Sequence, residues 1–185
     1  TVQLELPSFT LIAATTKLAM ISSPLRSRFS GGIFKLEFYT NEEISRIIIQ
    51  SANKLNVDIS LDASDNLAKR SRFTPRTANY LLRRARDIAQ MNKKTLDEEV
   101  VSETLELLGI DEQGLTKLDI NLLDTIHNKF NNGPVGVGTL ATSLSEESAT
   151  IEEFHEPYLI QLGFIERTSR GRLLTNKGIE YIKNN

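Results

Sequence analysis

The residues best placed to do chemistry are cations set against structure that already attracts anions. Foremost is Arg76, within Ser71-Arg72-Phe73-Thr74-Pro75-Arg76-Thr77-Ala78-Asn79. Thr74 is a good helix N-cap, and Pro75 suits the first helical position, whose N–H lacks a partner in any case. Ala78, Leu81, Leu82, Ala85, Ile88 and Ala89 continue with helical spacing. A cation in the first turn opposes the positive end of the helix dipole, so Arg76 implies an anion that the open N–H groups also favour. Phosphate is the obvious candidate.

Two other arginine groups invite the same question. Arg26 and Arg28 follow the helix-starting Ser23-Pro24 and, two residues apart, cannot share a helix face. A guanidinium fork suits a transferring phosphoryl group, although spacing alone favours a pair of surface arginines. Arg167, Arg170 and Arg172 surround a bend at Gly171 in a basic segment, a tip able to track phosphates or simply to sit in solvent. The helix before it carries Glu152, Glu153 and Glu156, which would repel a DNA backbone and leave contact to the hairpin. Thr15 and Thr16 stand at the carboxyl end of an apolar run, where open α/β sheets bind ligands, but a local side-chain-to-backbone bond accounts for them equally well.

The elements that must position these residues fall into three segments. Residues 1–39 read as strand, turn, short helix and strand, with Phe9, Leu11, Ile12, Ala13 and Ala14 as a strand buried on both faces and Ile33–Phe38 alternating. The opening Thr1–Leu6 also alternates, as though the chain began inside a larger sheet domain. Residues 40–114 read as a helical bundle opened by the capping box Thr40-Asn41-Glu42-Glu43, with Gly109–Leu115 as the best candidate for a linker. In residues 115–185, Leu118, Leu122, Ile126 and Phe130 predict one helix, Leu140 and Leu144 a second, and the capping box Thr150-Ile151-Glu152-Glu153 a third that Pro157 kinks or breaks. A hairpin over Phe164–Thr175 completes a winged helix-turn-helix. The fold class is thus mostly α with a small α/β portion.

Composition narrows the functions. The 185 residues are 39% hydrophobic and 25% charged, with a net charge of −2. No cysteine is present, so there is neither a disulfide framework nor a thiolate metal site, and a reducing cytoplasm fits. The two histidines, His127 and His155, offer zinc nothing and are expected on helix surfaces. No apolar run approaches a membrane span. Charge is segregated: between Lys69 and Lys94 nine cations face only Asp87, whereas Asp97, Glu98, Glu99, Glu103, Glu106, Asp111 and Glu112 follow without a cation. Adjacent helices could pair through that reversal or face different partners, although most of these side chains read as solvated helix faces. No G-x-x-x-x-G-K-[ST] loop and no strand ending in paired acids is present.

Taken together, Pro7-Ser8-Phe9-Thr10-Leu11-Ile12-Ala13-Ala14-Thr15-Thr16, Ser23-Pro24-Leu25-Arg26-Ser27-Arg28-Phe29, Thr74-Pro75-Arg76 with Leu81-Leu82-Arg83-Arg84, Gly133-Pro134-Val135-Gly136, Glu156-Pro157-Tyr158-Leu159-Ile160-Gln161 and Arg167-Thr168-Ser169-Arg170-Gly171-Arg172 resemble the RuvB family, hexameric AAA+ motors of Holliday junction branch migration. The resemblance implies the end of an AAA+ large domain (1–39), a helical lid (40–114) and a winged-helix DNA-binding domain (115–185). It implies that Thr15 and Thr16 are the sensor-1 site, that Arg28 is an arginine finger reaching the neighbouring subunit's ATP, that Arg26 and Tyr39 are further nucleotide-site positions, and that Arg76 is the sensor-2 arginine. Arg167, Arg170 and Arg172 would contact DNA. ATP with Mg²⁺, a homohexamer, duplex DNA at Holliday junctions, RuvA and RuvC are the implied cofactors and partners, in cytoplasmic recombination and repair. The phosphate-binding loop would lie upstream of Thr1, so this chain alone is not expected to hydrolyse ATP or hold it tightly. Rival readings are a non-enzymatic winged-helix regulator and a related AAA+ clamp loader or origin initiator.

Overall fold

The computed structural model describes residues 7–184, so the expected strand over Thr1–Leu6 lies outside the described residues. Two compact units result, one ending at Glu37 and the other running from Phe38 onward. In the first, the described residues form only a single 3₁₀ turn, Leu18–Met20, and the four-residue helix α1, Ser23–Arg26. The expected strands over Phe9–Ala14 and Ile33–Phe38 are not formed, and Ile12 and Leu36 stand 89% and 90% exposed. A strand exists only through a hydrogen-bonded neighbour, and among the described residues none lies beside these segments. Their apolar pattern survives without a sheet.

The second unit is helical. Helix α2, Asn41–Lys54, begins at the expected capping box: the Glu43 N–H donates to Thr40 Oγ1 at 3.2 Å and the Thr40 N–H to Glu43 Oε2 at 2.8 Å. Helices α3, Leu61–Lys69, α4, Pro75–Asn92, and α5, Glu98–Leu107, complete a bundle. Its core is the apolar stripe of each helix, including Ile44, Ile48, Leu67, Leu81, Leu82, Val100 and Val101. Just beyond α4, across the charge reversal, Lys94 Nζ meets Glu99 Oε1 of α5 at 2.7 Å in an exposed ion pair.

A second core gathers Leu115, Leu122, Leu123, Ile126, Leu140, Ile151, Leu159 and Phe164. Helix α6, Lys117–Asp124, passes into a π-helical turn, Thr125–Lys129. Apolar residues spaced by four overshoot a 3.6-residue turn by about 40° at each step, and the wider π turn takes up the excess, keeping Ile126 and Phe130 against the core. Helix α7, Val137–Leu144, carries Leu140 and Leu144 as expected. The third helix starts earlier than its sequence suggested: α8, Ser148–Thr150, is followed by a π turn, Ile151–His155, and α9, Glu156–Gln161. Thr150 is therefore helical and caps nothing, and Pro157, lacking an N–H, sits at the start of α9 where the winding changes.

Strands β1, Ile165–Thr168, and β2, Gly171–Leu174, form the hairpin, with Arg167 opposite Arg172 and Thr168 opposite Gly171. Val135 adds a short third edge, exchanging two 2.8 Å backbone bonds with Arg172. Gly171, at φ +135, leaves the space that the Val135 carbonyl occupies. A C-terminal helix that the sequence reading missed, α10, Asn176–Asn184, stacks Tyr181 on Phe164 with ring centroids 4.9 Å apart. No described helix is long and apolar enough to cross a membrane.

Candidate nucleotide and nucleic-acid sites

Arg76 lies in the first turn of α4, exposed, and among the described residues its guanidinium has neither an ion pair nor a hydrogen bond. Thr74 Oγ1 caps the Thr77 N–H at 3.4 Å, and Pro75 has no N–H. The Arg76 N–H itself is left open. Cation and helix terminus therefore offer donors to the same region, which suits a phosphate oxygen. Tyr39, 44% exposed, has its backbone N–H 3.4 Å from the Phe73 carbonyl, beside the segment leading into α4.

In the first unit, Arg28 is exposed and Arg26 half-buried, and neither forms an ion pair among the described residues. Ser27 Oγ donates to the Pro24 carbonyl at 2.9 Å, which stiffens the short helix between them. Thr15 Oγ1 accepts the Lys17 N–H at 3.0 Å, the local turn bond that its sequence position also allowed, and Thr16 is exposed. No group of three or more His, Cys, Asp or Glu able to hold a metal occurs among the described residues.

The wing divides its arginines. Arg170, at the turn, is exposed, and its side chain has no partner among the described residues. Arg167 is 60% exposed with a long 3.3 Å contact to Glu152. Arg172 is placed differently from the other two. Its side chain is 7% exposed, and its guanidinium is held by Glu156, through Nε to Oε1 and Nη2 to Oε2 at 3.1 Å, and by Glu152 at 2.8 Å. Hydrogen bonding to Glu156, against some desolvation, raises its pKa. Directly opposed like charges weaken a hairpin, and Glu152, accepting from both Arg167 and Arg172, relieves that repulsion. Nε and Nη2 of Arg172 are thus committed to carboxylates, and among the described residues Nη1 makes no hydrogen bond. By the same pairing, Glu152 and Glu156 are neutralised from within rather than turned against a DNA backbone.

Between the two cores lies a cluster that sequence reasoning missed. Arg72 and Phe73 precede α4 in consecutive left-handed conformations, both at φ 56, each costing on the order of 1–2 kcal/mol for a residue with a Cβ. Both side chains reach the second core. Arg72 Nη2 pairs with Asp119 Oδ2, Nη1 donates to the Phe154 carbonyl at 3.3 Å, and the guanidinium stacks 5.0 Å from the Tyr158 ring centroid. Phe73 meets the same ring at 5.8 Å. Asp119, fully buried, also accepts from the Thr116 N–H at 2.7 Å, the Thr116 hydroxyl at 2.6 Å and His155 Nδ1 at 2.7 Å. A carboxylate can only accept, so the His155 proton is on Nδ1. Burial alone would raise the Asp119 pKa, but the bonds from His155 and Thr116 and the Arg72 charge outweigh it and hold the carboxyl below the usual range. His155 is therefore a buried partner, not the surface residue expected.

The segment Gly109–Leu115, expected as a linker, is a built joint. Asp111 Oδ1 accepts the N–H groups of Gln113 at 2.9 Å and Leu115 at 2.7 Å, and Asp111 Oδ2 accepts the Tyr181 hydroxyl. Tyr158 donates to the Gln113 carbonyl at 2.6 Å, and burial pushes its phenol up to about 12. One sequence signal was available, the capping box Thr116-Lys117-Leu118-Asp119, but nothing local shows that Asp119 is buried against Arg72.

Residues 1–35 match the Holliday junction DNA helicase RuvB P-loop domain, 39–111 the RuvB AAA lid domain and 112–183 the RuvB C-terminal winged helix domain. The chain is 50% identical over 183 residues to the Holliday junction branch migration complex subunit RuvB of Lawsonia intracellularis (strain PHE/MN1-00), a match covering 98% of the chain and 53% of that protein. It is similar to the solved structure of the Thermotoga maritima RuvB Holliday junction branch migration motor, with a TM-score of 0.83 and 44% identity over 89% of the chain and 55% of that structure. The chain spans about half the length of both.

Proposed function

Because the chain belongs to the RuvB family, we propose that the intact protein is an ATP-dependent motor subunit that drives Holliday junction branch migration in DNA recombination and repair. Residues 1–39 close the AAA+ large domain, 40–114 form the lid and 115–185 the winged-helix domain. The observation that carries this reading is Arg76, unpartnered among the described residues and exposed beside its own open N–H in the first turn of α4. Arg76 binds the phosphates of its own subunit's nucleotide, Tyr39 and Arg26 are further nucleotide-binding positions, and Thr15 and Thr16 sense the terminal phosphate. Arg28, whose fork is likewise unpaired among the described residues, serves the site of an adjacent subunit, which requires a ring. Bound ATP with Mg²⁺ supplies the phosphoryl-transfer chemistry that powers the cycle. On the DNA side, Arg167 and Arg170 contact phosphates with little base preference, and Arg172 holds the wing in place. A hexamer working with RuvA and RuvC in the cytoplasm completes the reading.

Replacing Arg28 with Ala in the intact protein tests it. Hydrolysis should be abolished with nucleotide binding spared, whereas equal loss of both refutes a role in trans.

A further inference from the structure

Arg72 and Phe73 belong by sequence to the lid, yet their side chains are docked in the winged-helix domain, and they stand immediately before the helix that begins with Arg76. The turn between them and α4 has no slack. Ser71 is fully buried with its hydroxyl on the Ala68 carbonyl at 2.7 Å, the Thr74 N–H donates to the Ser71 carbonyl at 3.2 Å, and the Arg72 and Phe73 backbones are already in a strained region. A displacement of the α4 N-terminus cannot be absorbed there and passes into the two side chains. These act on three separate parts of the winged-helix body: Asp119 at the start of α6, the Phe154 carbonyl before α9, and Tyr158 within α9.

The covalent connection is a second attachment, stiffened by Asp111, Tyr181 and the Tyr158 hydroxyl on the Gln113 carbonyl. Two attachments prevent rotation about either, so lid and winged helix form one compact unit. We propose that Arg72 is a positioning residue that transmits nucleotide-driven movement of the α4 start to the DNA-contacting wing, and that without it the wing swivels about the Gly109–Leu115 joint. This rests on the motor reading above. Arg72 touches neither nucleotide nor DNA in this scheme and acts through Asp119, the Phe154 carbonyl and the Tyr158 ring.

The test uses the intact protein on a synthetic four-way junction, with ATP hydrolysis and junction movement measured on the same preparation. In Arg72→Gln, hydrolysis and DNA binding should stay within about threefold of wild type, while ATP consumed per base pair moved rises about tenfold or more, the size of a typical coupling between sites. Arg72→Lys, which keeps the charge facing Asp119 but loses the fork, should give an intermediate ratio. Tyr158→Leu leaves the Arg72–Asp119 pair but removes the ring beneath it and the hydroxyl bond to Gln113, whereas Tyr158→Phe loses only that bond; the ratio should rise in Tyr158→Leu and stay near wild type in Tyr158→Phe, and this pair decides the matter if Arg72→Gln fails to fold. Hydrolysis and movement falling in parallel, with an unchanged ratio in the folded variants, overturns the proposal. A wild-type protein that moves no junction with ATP overturns the motor reading and the transmission role with it, an outcome distinct from an unchanged ratio.

Discussion

Replacing Arg172 with Met separates an internal clamp from a DNA contact. In the folded protein Glu156 is 2% exposed and takes two bonds from Arg172, while Glu152, at 36%, keeps access to water and to Arg167. The substitution therefore strands one buried carboxylate. Removing one partner of such a pair costs about 3–5 kcal/mol, because the remaining charge is desolvated without compensation. For a cooperative unit of this size that corresponds to a fall in Tm of roughly 8–16 °C, taking about 4 kcal/mol at about 2–4 °C for each. Adding Glu156→Leu should recover most of the loss, since an apolar pair of similar volume is often neutral. Thermal melts of the three proteins measure this. The salt dependence of duplex binding supplies the other half: each neutralised phosphate contributes about 0.9 to the slope of log K against log salt. Arg172→Met should leave that slope unchanged below its melting range, whereas Arg170→Ala should flatten it by about 0.9 and barely move Tm. An Arg172→Met protein that melts like wild type and loses about 0.9 of slope would show the guanidinium on DNA and the carboxylate clamp to be incidental.

Two further outcomes follow from the joint. The Asp119 carboxyl has a folded pKa below its ordinary 3.8, so its contribution is fully present above that value and is lost as pH falls through the lower folded one. Urea midpoints of wild type should drop on acidification, roughly from pH 5 downward, and Asp119→Asn should start lower and show a shallower acid fall; parallel curves would remove Asp119 as a source of acid sensitivity. Gly114→Ala would put a Cβ 2.8 Å from the Tyr158 hydroxyl and 3.1 Å from Arg70 Cα at φ +73, so urea unfolding should report a loss of about 1–3 kcal/mol, and no loss would mean the joint yields freely.

What the sequence disclosed was local in origin. Thr40 with Glu43 and Thr74 with Pro75 mark helix starts because each cap bonds to residues three along, within reach of any reading frame of a few residues. The hairpin was legible from Gly171 and alternating residues. Ile33–Phe38 reads as a strand for the same reason, but pairing is a property of two segments, and among the described residues the second is not there. Arg172 and Arg170 look alike in sequence; register alone decides that one is opposite Arg167 over the carboxylates and the other at the tip. Thr150-Ile151-Glu152-Glu153 has the form of a capping box, yet the helix starts before it at Ser148, so Thr150 is already helical and its side chain caps nothing. Arg72 and Asp119, 47 residues apart, share no local signal, and the burial that makes them a site is visible only once both cores exist.

The bond from Tyr181 to Asp111 joins the last helix to the first turn of the connection between the two cores. Trimming the protein from Tyr181 onward would therefore remove a brace from the elbow, not merely an appendage. A shortened version could retain its hairpin and still hold the lid at a looser angle.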